Sequence, residues 1–143
     1  MTTKIKFLLR VFAFMGLISC KNSQLENPYI SNGIFKVAIL YPSGEGKTFD
    51  MDYYEKKHMP MVADFLGENL KFYEIDKGVA GRIPNDKVPF VAIGYFYIND
   101  VAEYNEAIGQ NIDTIRNDFK NYTNIKPVIQ ISEIKQVEYN DTK

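Results

Sequence analysis

Apolar positions recur along this chain with two different periods. Residues 34–41 run through β-branched and aromatic side chains and stop at Pro42. Phe35, Val37, Ile39 and Tyr41 share one face, and Ala38 and Leu40 are apolar on the other, which predicts a first strand covered on both sides. Tyr54, His58, Met61, Val62 and Phe65 then follow at spacings of three and four, the stripe of a helix. Asp50 can cap that helix, Phe49 and Tyr54 can staple its first turn, and Gly67 ends it. Pro60 removes a backbone donor and crowds the carbonyl of Lys56, so the helix is expected to kink or loosen beside His58.

Residues 70–77 predict a second strand, polar enough to lie at an edge, and the continuously apolar residues 90–98 predict a third, covered on both faces. Asp100 and Glu103 form a capping box that opens a second helix, with Tyr104, Ile108, Ile112, Ile115 and Phe119 along its apolar stripe. Gly109 costs that helix about 1 kcal/mol relative to alanine and offers a point of breakage near Asn111. Residues 128–134 predict a fourth strand. The order β-α-β-β-α-β is that of an α+β, ferredoxin-like fold, a four-stranded antiparallel sheet with two helices on one face. The opposite face would leave too large an apolar patch for a monomer. Packing sheet against sheet about a two-fold axis covers it, which predicts a homodimer closing an α/β barrel.

The first residues have another character. Lys4, Lys6 and Arg10 precede an uncharged run from Val11 to Ser19 that ends at Cys20, the form of a secretory signal peptide and too short to span a bilayer. Leu17-Ile18-Ser19-Cys20 resembles the lipobox of bacterial lipoproteins. Cys20 is the only cysteine in the chain, so lipidation explains it better than disulfide pairing. The expected organisation is a signal peptide over 1–19, a polar tether over 20–32, one domain over 33–138 and a frayed tail over 139–143. The protein is expected in the bacterial cell envelope, attached to the membrane through lipidated Cys20 alone. Lysine and arginine number 17 against 18 acidic residues, a balance that gives no pull toward nucleic acid.

His58 is the only histidine, and its imidazole can exchange protons near neutrality. It is the candidate catalytic residue, set against the alternative of a buried packing histidine. Tyr53, Tyr54, Tyr95 and Gln130 are candidate substrate-binding partners. A metal site is not expected, because one histidine and a lipidated cysteine leave only carboxylates. Asp50, Asp52 and Glu55 suit the first turn of a helix instead.

Three separated blocks resemble the EthD family of the dimeric α/β-barrel superfamily. They are Phe49-Asp50 with Tyr54 and the run from His58 to Val62; the run from Pro89 to Tyr95; and the runs from Asp118 to Asn124 and from Pro127 to Glu133. The resemblance implies the ferredoxin-like fold, the dimer, and a cavity for a small apolar molecule between sheet and helices beside His58. It also implies an oxidoreductase-type activity or an accessory role beside an oxidative system, although the chain carries no dinucleotide fingerprint and no iron–sulfur cysteine set. Phe119-Lys120 departs from the smaller or proline-containing pair usual in the family. The readings that follow are a cofactor-independent acid/base enzyme using His58 on a carbonyl or enol, a ligand-binding or carrier lipoprotein without catalysis, and a purely structural dimer. A special case of binding is haem, with His58 as its axial ligand.

Overall fold

The structure is a computed structural model that describes residues 33–138. The signal peptide, Cys20, the tether and the tail lie outside the described residues. Strand β1 (Phe35–Pro42), a first helix over residues 51–66, β2 (Leu70–Lys77), β3 (Phe90–Ile98), a second helix (Val101–Asp118) and β4 (Val128–Glu133) follow in the expected order. The sheet order is β2-β3-β1-β4, with every neighbouring pair antiparallel. Both edges are therefore the more polar strands, and the apolar β1 and β3 lie at the centre, where each pairs on both sides.

Register assigns the two faces. Val37 lies opposite Phe96, Ile39 opposite Gly94 and Tyr41 opposite Ala92, and all six are buried beneath the helices. The alternate residues, among them Ala38, Leu40, Ile93 and Tyr95, form the other, helix-free face. There Phe72 and Tyr97 stack with ring centroids 4.1 Å apart, and Tyr97 donates a hydrogen bond to Glu74 at 2.9 Å.

Helix ends follow the sequence signals. The Asp50 carboxylate accepts from the Tyr53 amide at 3.0 Å, and Phe49 meets Tyr54 with ring centroids 5.1 Å apart. Asp100 accepts from the Glu103 amide at 2.9 Å, but the return half of the capping box is occupied by another residue. Buried Asn69 accepts from the Asp100 amide at 2.8 Å and donates to the Asp100 carbonyl at 2.9 Å. The second helix runs without a break through Gly109, which faces open space, so its missing side chain costs propensity alone.

The first helix is not uniform. One α-helical turn, Met51–Tyr53, is followed by a π-helical turn, Tyr54–His58, in which the Met59 amide bonds the Tyr54 carbonyl, and then by regular helix, Met59–Leu66. The widening lies in the turn that the Pro60 ring would otherwise crowd, so the expected loosening takes the form of one inserted residue. Gly67, at φ 51°, ends the element.

Gly94 and Gly109 make opposite predictions. A side chain at Gly94 would collide with the Tyr54 hydroxyl and press on Met59 Sδ at 3.2 Å. Gly94→Ala should therefore destabilise the fold by about 1–3 kcal/mol through overpacking, whereas Gly109→Ala should stabilise it by roughly 0.5–1 kcal/mol. Urea denaturation of the two variants measures both; equal effects would mean that Tyr54 does not sit against β3 as described.

Candidate functional site

His58 closes the π-helical turn and is 4% exposed. Its Nδ1 lies 2.8 Å from Oδ2 of Asp118, the last residue of the second helix. The other oxygen of that carboxylate accepts from the Tyr53 hydroxyl at 2.7 Å and from the Asn121 side-chain amide at 2.8 Å. The π-turn makes this sharing feasible. Residues five apart in a regular α-helix are rotated by about 140°, whereas i→i+5 bonding widens the turn and reduces that offset. Tyr53 and His58 thereby reach one carboxylate.

Aromatic rings fix the imidazole. Tyr122 lies 4.5 Å from it between centroids, Tyr54 stacks at 5.6 Å and 17°, and Phe119 meets it edge-on at 5.5 Å. Phe119 thus supplies one wall of the histidine's surroundings, in a single 3₁₀ turn, Phe119–Asn121. Tyr122 also bonds Tyr41 through their hydroxyls at 2.9 Å. The segment is fixed to the start of the first helix: the Asp50 amide donates to the Tyr122 carbonyl at 2.7 Å, and the Thr48 amide donates to the Asn124 side chain at 2.8 Å.

Burial lowers the pKa of His58, and the hydrogen bond and charge of Asp118 only partly oppose it, so the imidazole is neutral at pH 7. For Asp118 burial acts to raise the pKa, but the bonds from His58, Tyr53 and Asn121 outweigh it and hold the carboxyl below its ordinary value. An ionised carboxylate accepts at Nδ1, so the neutral ring carries its proton there and its lone pair on Nε2. Nε2 makes no hydrogen bond within the described residues.

His58 lines a cavity of about 350 Å³ between the sheet and the helices. Ile39 and Phe96 rise from the sheet, Met59 and Val62 come from the first helix, and Ile108 and Ile112 from the second. The Tyr54 hydroxyl is buried without a hydrogen-bond partner among the described residues, and burial raises its pKa strongly. Arg116 and Lys126 stand on the exposed side of the lining. Among the described residues, no group of three histidine, cysteine or acidic side chains is placed to hold a metal ion, and no helix is long and apolar enough to cross a membrane.

Of the residues singled out in the sequence, His58, Tyr53 and Tyr54 come together. Tyr95 and Gln130 do not join them, which corrects the grouping drawn from the sequence. Both lie on the helix-free face, where each pairs across the sheet with Ala38, Tyr95 beneath the ammonium of Lys36 and Gln130 bonded to Ser132. Strand alternation places them behind the sheet from His58, because Gly94 and Phe96 on either side of Tyr95 face the helices, Gly94 beneath the Tyr54 hydroxyl and Phe96 in the cavity wall. Asp118, Asn121 and Tyr122 were given no role from the sequence. One signal was available: an acid as the last residue of a helix faces the negative end of the dipole and needs compensating donors.

No family model matches the sequence, and neither does any curated protein. Solved structures do. An EthD-like protein of Ralstonia eutropha JMP134 is 39% identical, with 78% of this chain and 99% of that one covered and a TM-score of 0.71. An ethyl tert-butyl ether D (EthD) family protein of Bacillus halodurans C-125 is 16% identical, over 71% of this chain and 98% of that one, with a TM-score of 0.50. An Arabidopsis thaliana protein at 14% identity, over 74% of this chain and 99% of that one, has a TM-score of 0.51. The last two likenesses are of fold; the first, at its identity and coverage, carries the family, and the chain belongs to the EthD-like proteins.

Proposed function

We propose that the protein is a cofactor-independent acid/base catalyst acting on a small apolar carbonyl or enol compound held in the cavity beside His58. The observation that carries this reading is the pair itself: Nδ1 tied to Asp118 at 2.8 Å, with Nε2 left to an apolar space. Nε2 takes a proton from carbon next to the carbonyl, and the electron pair moves onto the carbonyl oxygen. The imidazolium formed is stabilised by Asp118 and returns the proton elsewhere on the substrate, as isomerisation, dehydration or ring-opening requires. Such transfer contributes about 10²- to 10⁴-fold, enough for substrates whose C–H bond is already acidic.

Two further parts belong to the proposal. The helix-free face, with Ala38, Leu40, Ile93 and the Phe72–Tyr97 stack, packs against the same face of a second copy, and the homodimer keeps the two cavities outside the interface. The domain is anchored in the bacterial envelope through lipidated Cys20, so its ligand is met outside the cytoplasm.

Deuterium incorporation next to the carbonyl of apolar aromatic ketones, followed by NMR in heavy water, tests proton abstraction without knowledge of the natural substrate. The parent should accelerate exchange, and His58→Gln should lower it by about 10²- to 10⁴-fold while ketone affinity changes little. Glutamine keeps a donor for the Asp118 carboxylate, whereas His58→Ala leaves that group one bond short and tests folding. Unchanged exchange in His58→Gln removes the catalytic reading; ketone binding without exchange by the parent favours a carrier. A Soret band on addition of haem would assign Nε2 to a metal instead.

The exchange rate should fall on acidification as Nε2 becomes protonated, with its midpoint below pH 6.5 because burial lowers the His58 pKa. Asp118→Asn removes the charge and the hydrogen bond that raise that pKa. Its midpoint should move further toward acid while the plateau rate falls through loss of the held tautomer. A midpoint moving upward would contradict this.

A further inference from the structure

We infer that the ligand of this cavity carries a carboxylate on its apolar body and enters with that group outermost, received by Arg116 and Lys126. The inference rests on the catalytic-cavity reading and names the substrate class. Among the described residues the cavity wall contains no acidic side chain, and its charged residues are these two cations. They come from different elements, the last turn of the second helix and the loop before β4, and both also line an outer groove that continues the opening. That groove adds Lys120, and its one acid is Asp50, whose carboxylate already caps the first helix.

Neither the Arg116 nor the Lys126 side chain has an ion-pair or hydrogen-bond partner among the described residues, and both are exposed. Arg116 in a last helical turn complements the dipole, but that does not account for Lys126, which belongs to no helix. Two like charges at one opening, in a chain with slightly more acids than bases, form a field that an anion relieves and a neutral ligand does not. Long stems lying along an apolar rim with their charged ends in water suit a ligand of the same polarity pattern, apolar within and charged at the edge. At interior packing density, near 0.75, the cavity holds about 260 Å³ of ligand, the bulk of a medium-length acyl chain or a fused aromatic system. The carboxylate remains at the mouth during the reaction, and the carbon that loses its proton lies deeper, next to Nε2.

Calorimetric titration of the protein with naphthoate against naphthamide, and with decanoate against decanamide, separates charge from shape. Each acid should bind about tenfold tighter than its amide at low ionic strength, and added salt should erode only the acid's advantage. In the Arg116→Gln, Lys126→Gln double variant the acids should weaken to the affinity of the amides. The amides, unaltered, report that the cavity is intact. Equal binding of acid and amide, or a preference that survives the double substitution, overturns the inference and leaves the His58 cavity standing. Failure of all four probes to bind overturns the inference together with the cavity reading beneath it.

Discussion

One carboxylate organises this site. Asp118 ends the second helix, where the dipole disfavours negative charge, and it is largely withdrawn from water, with its side chain 13% exposed. Three donors from two parts of the chain compensate: His58, Tyr53 and Asn121. Without them the acid would be protonated or the helix end would open. With them it stays ionised, locks the two helices together at their ends, and determines which nitrogen of His58 carries the proton.

The geometry that serves this carboxylate is built into the first helix. Pro60 discourages a regular turn before it, and the inserted residue of Tyr54–His58 swings the imidazole to the same side as Tyr53. On the sheet beneath, Gly94 leaves room for the Tyr54 hydroxyl. Tyr54 in turn stacks on His58, so a missing side chain on β3, acting through Tyr54, and a proline two residues past the histidine both bear on how the imidazole is placed. A helix defect and a glycine in a central strand each weaken their own element; here the glycine makes room for Tyr54 and Met59, and the defect sets the imidazole against Asp118.

The fold was legible because each element carried its own local signal. Alternation in residues 34–41, caps at Asp50 and Asp100, and Gly67 as terminator all depend on near neighbours, and the structure matches them within a residue or so. Loosening at Pro60 was legible for the same reason. Gly109 was over-read as a breakage point: a propensity loss of about 1 kcal/mol is small beside the burial of Tyr104 and Ile115 on the same helix. The site was harder. His58 and Asp118 are 60 positions apart and joined only by the packing of two helices, which no local pattern encodes. Tyr95 and Gln130 were misplaced because strand alternation fixes two faces without saying which one the helices cover; register puts both residues on the face of Ala38, and the packing of Tyr54 and Met59 on Gly94 shows that the helices cover the other.

The tautomer of a single imidazole tests this account most directly, and the chain holds one histidine, so its signals need no assignment. Two-bond proton–nitrogen correlation NMR at pH 7 should show a neutral ring protonated on Nδ1, with Nε2 at the shift of a bare acceptor. A ring protonated on Nε2, or an imidazolium at that pH, would contradict it.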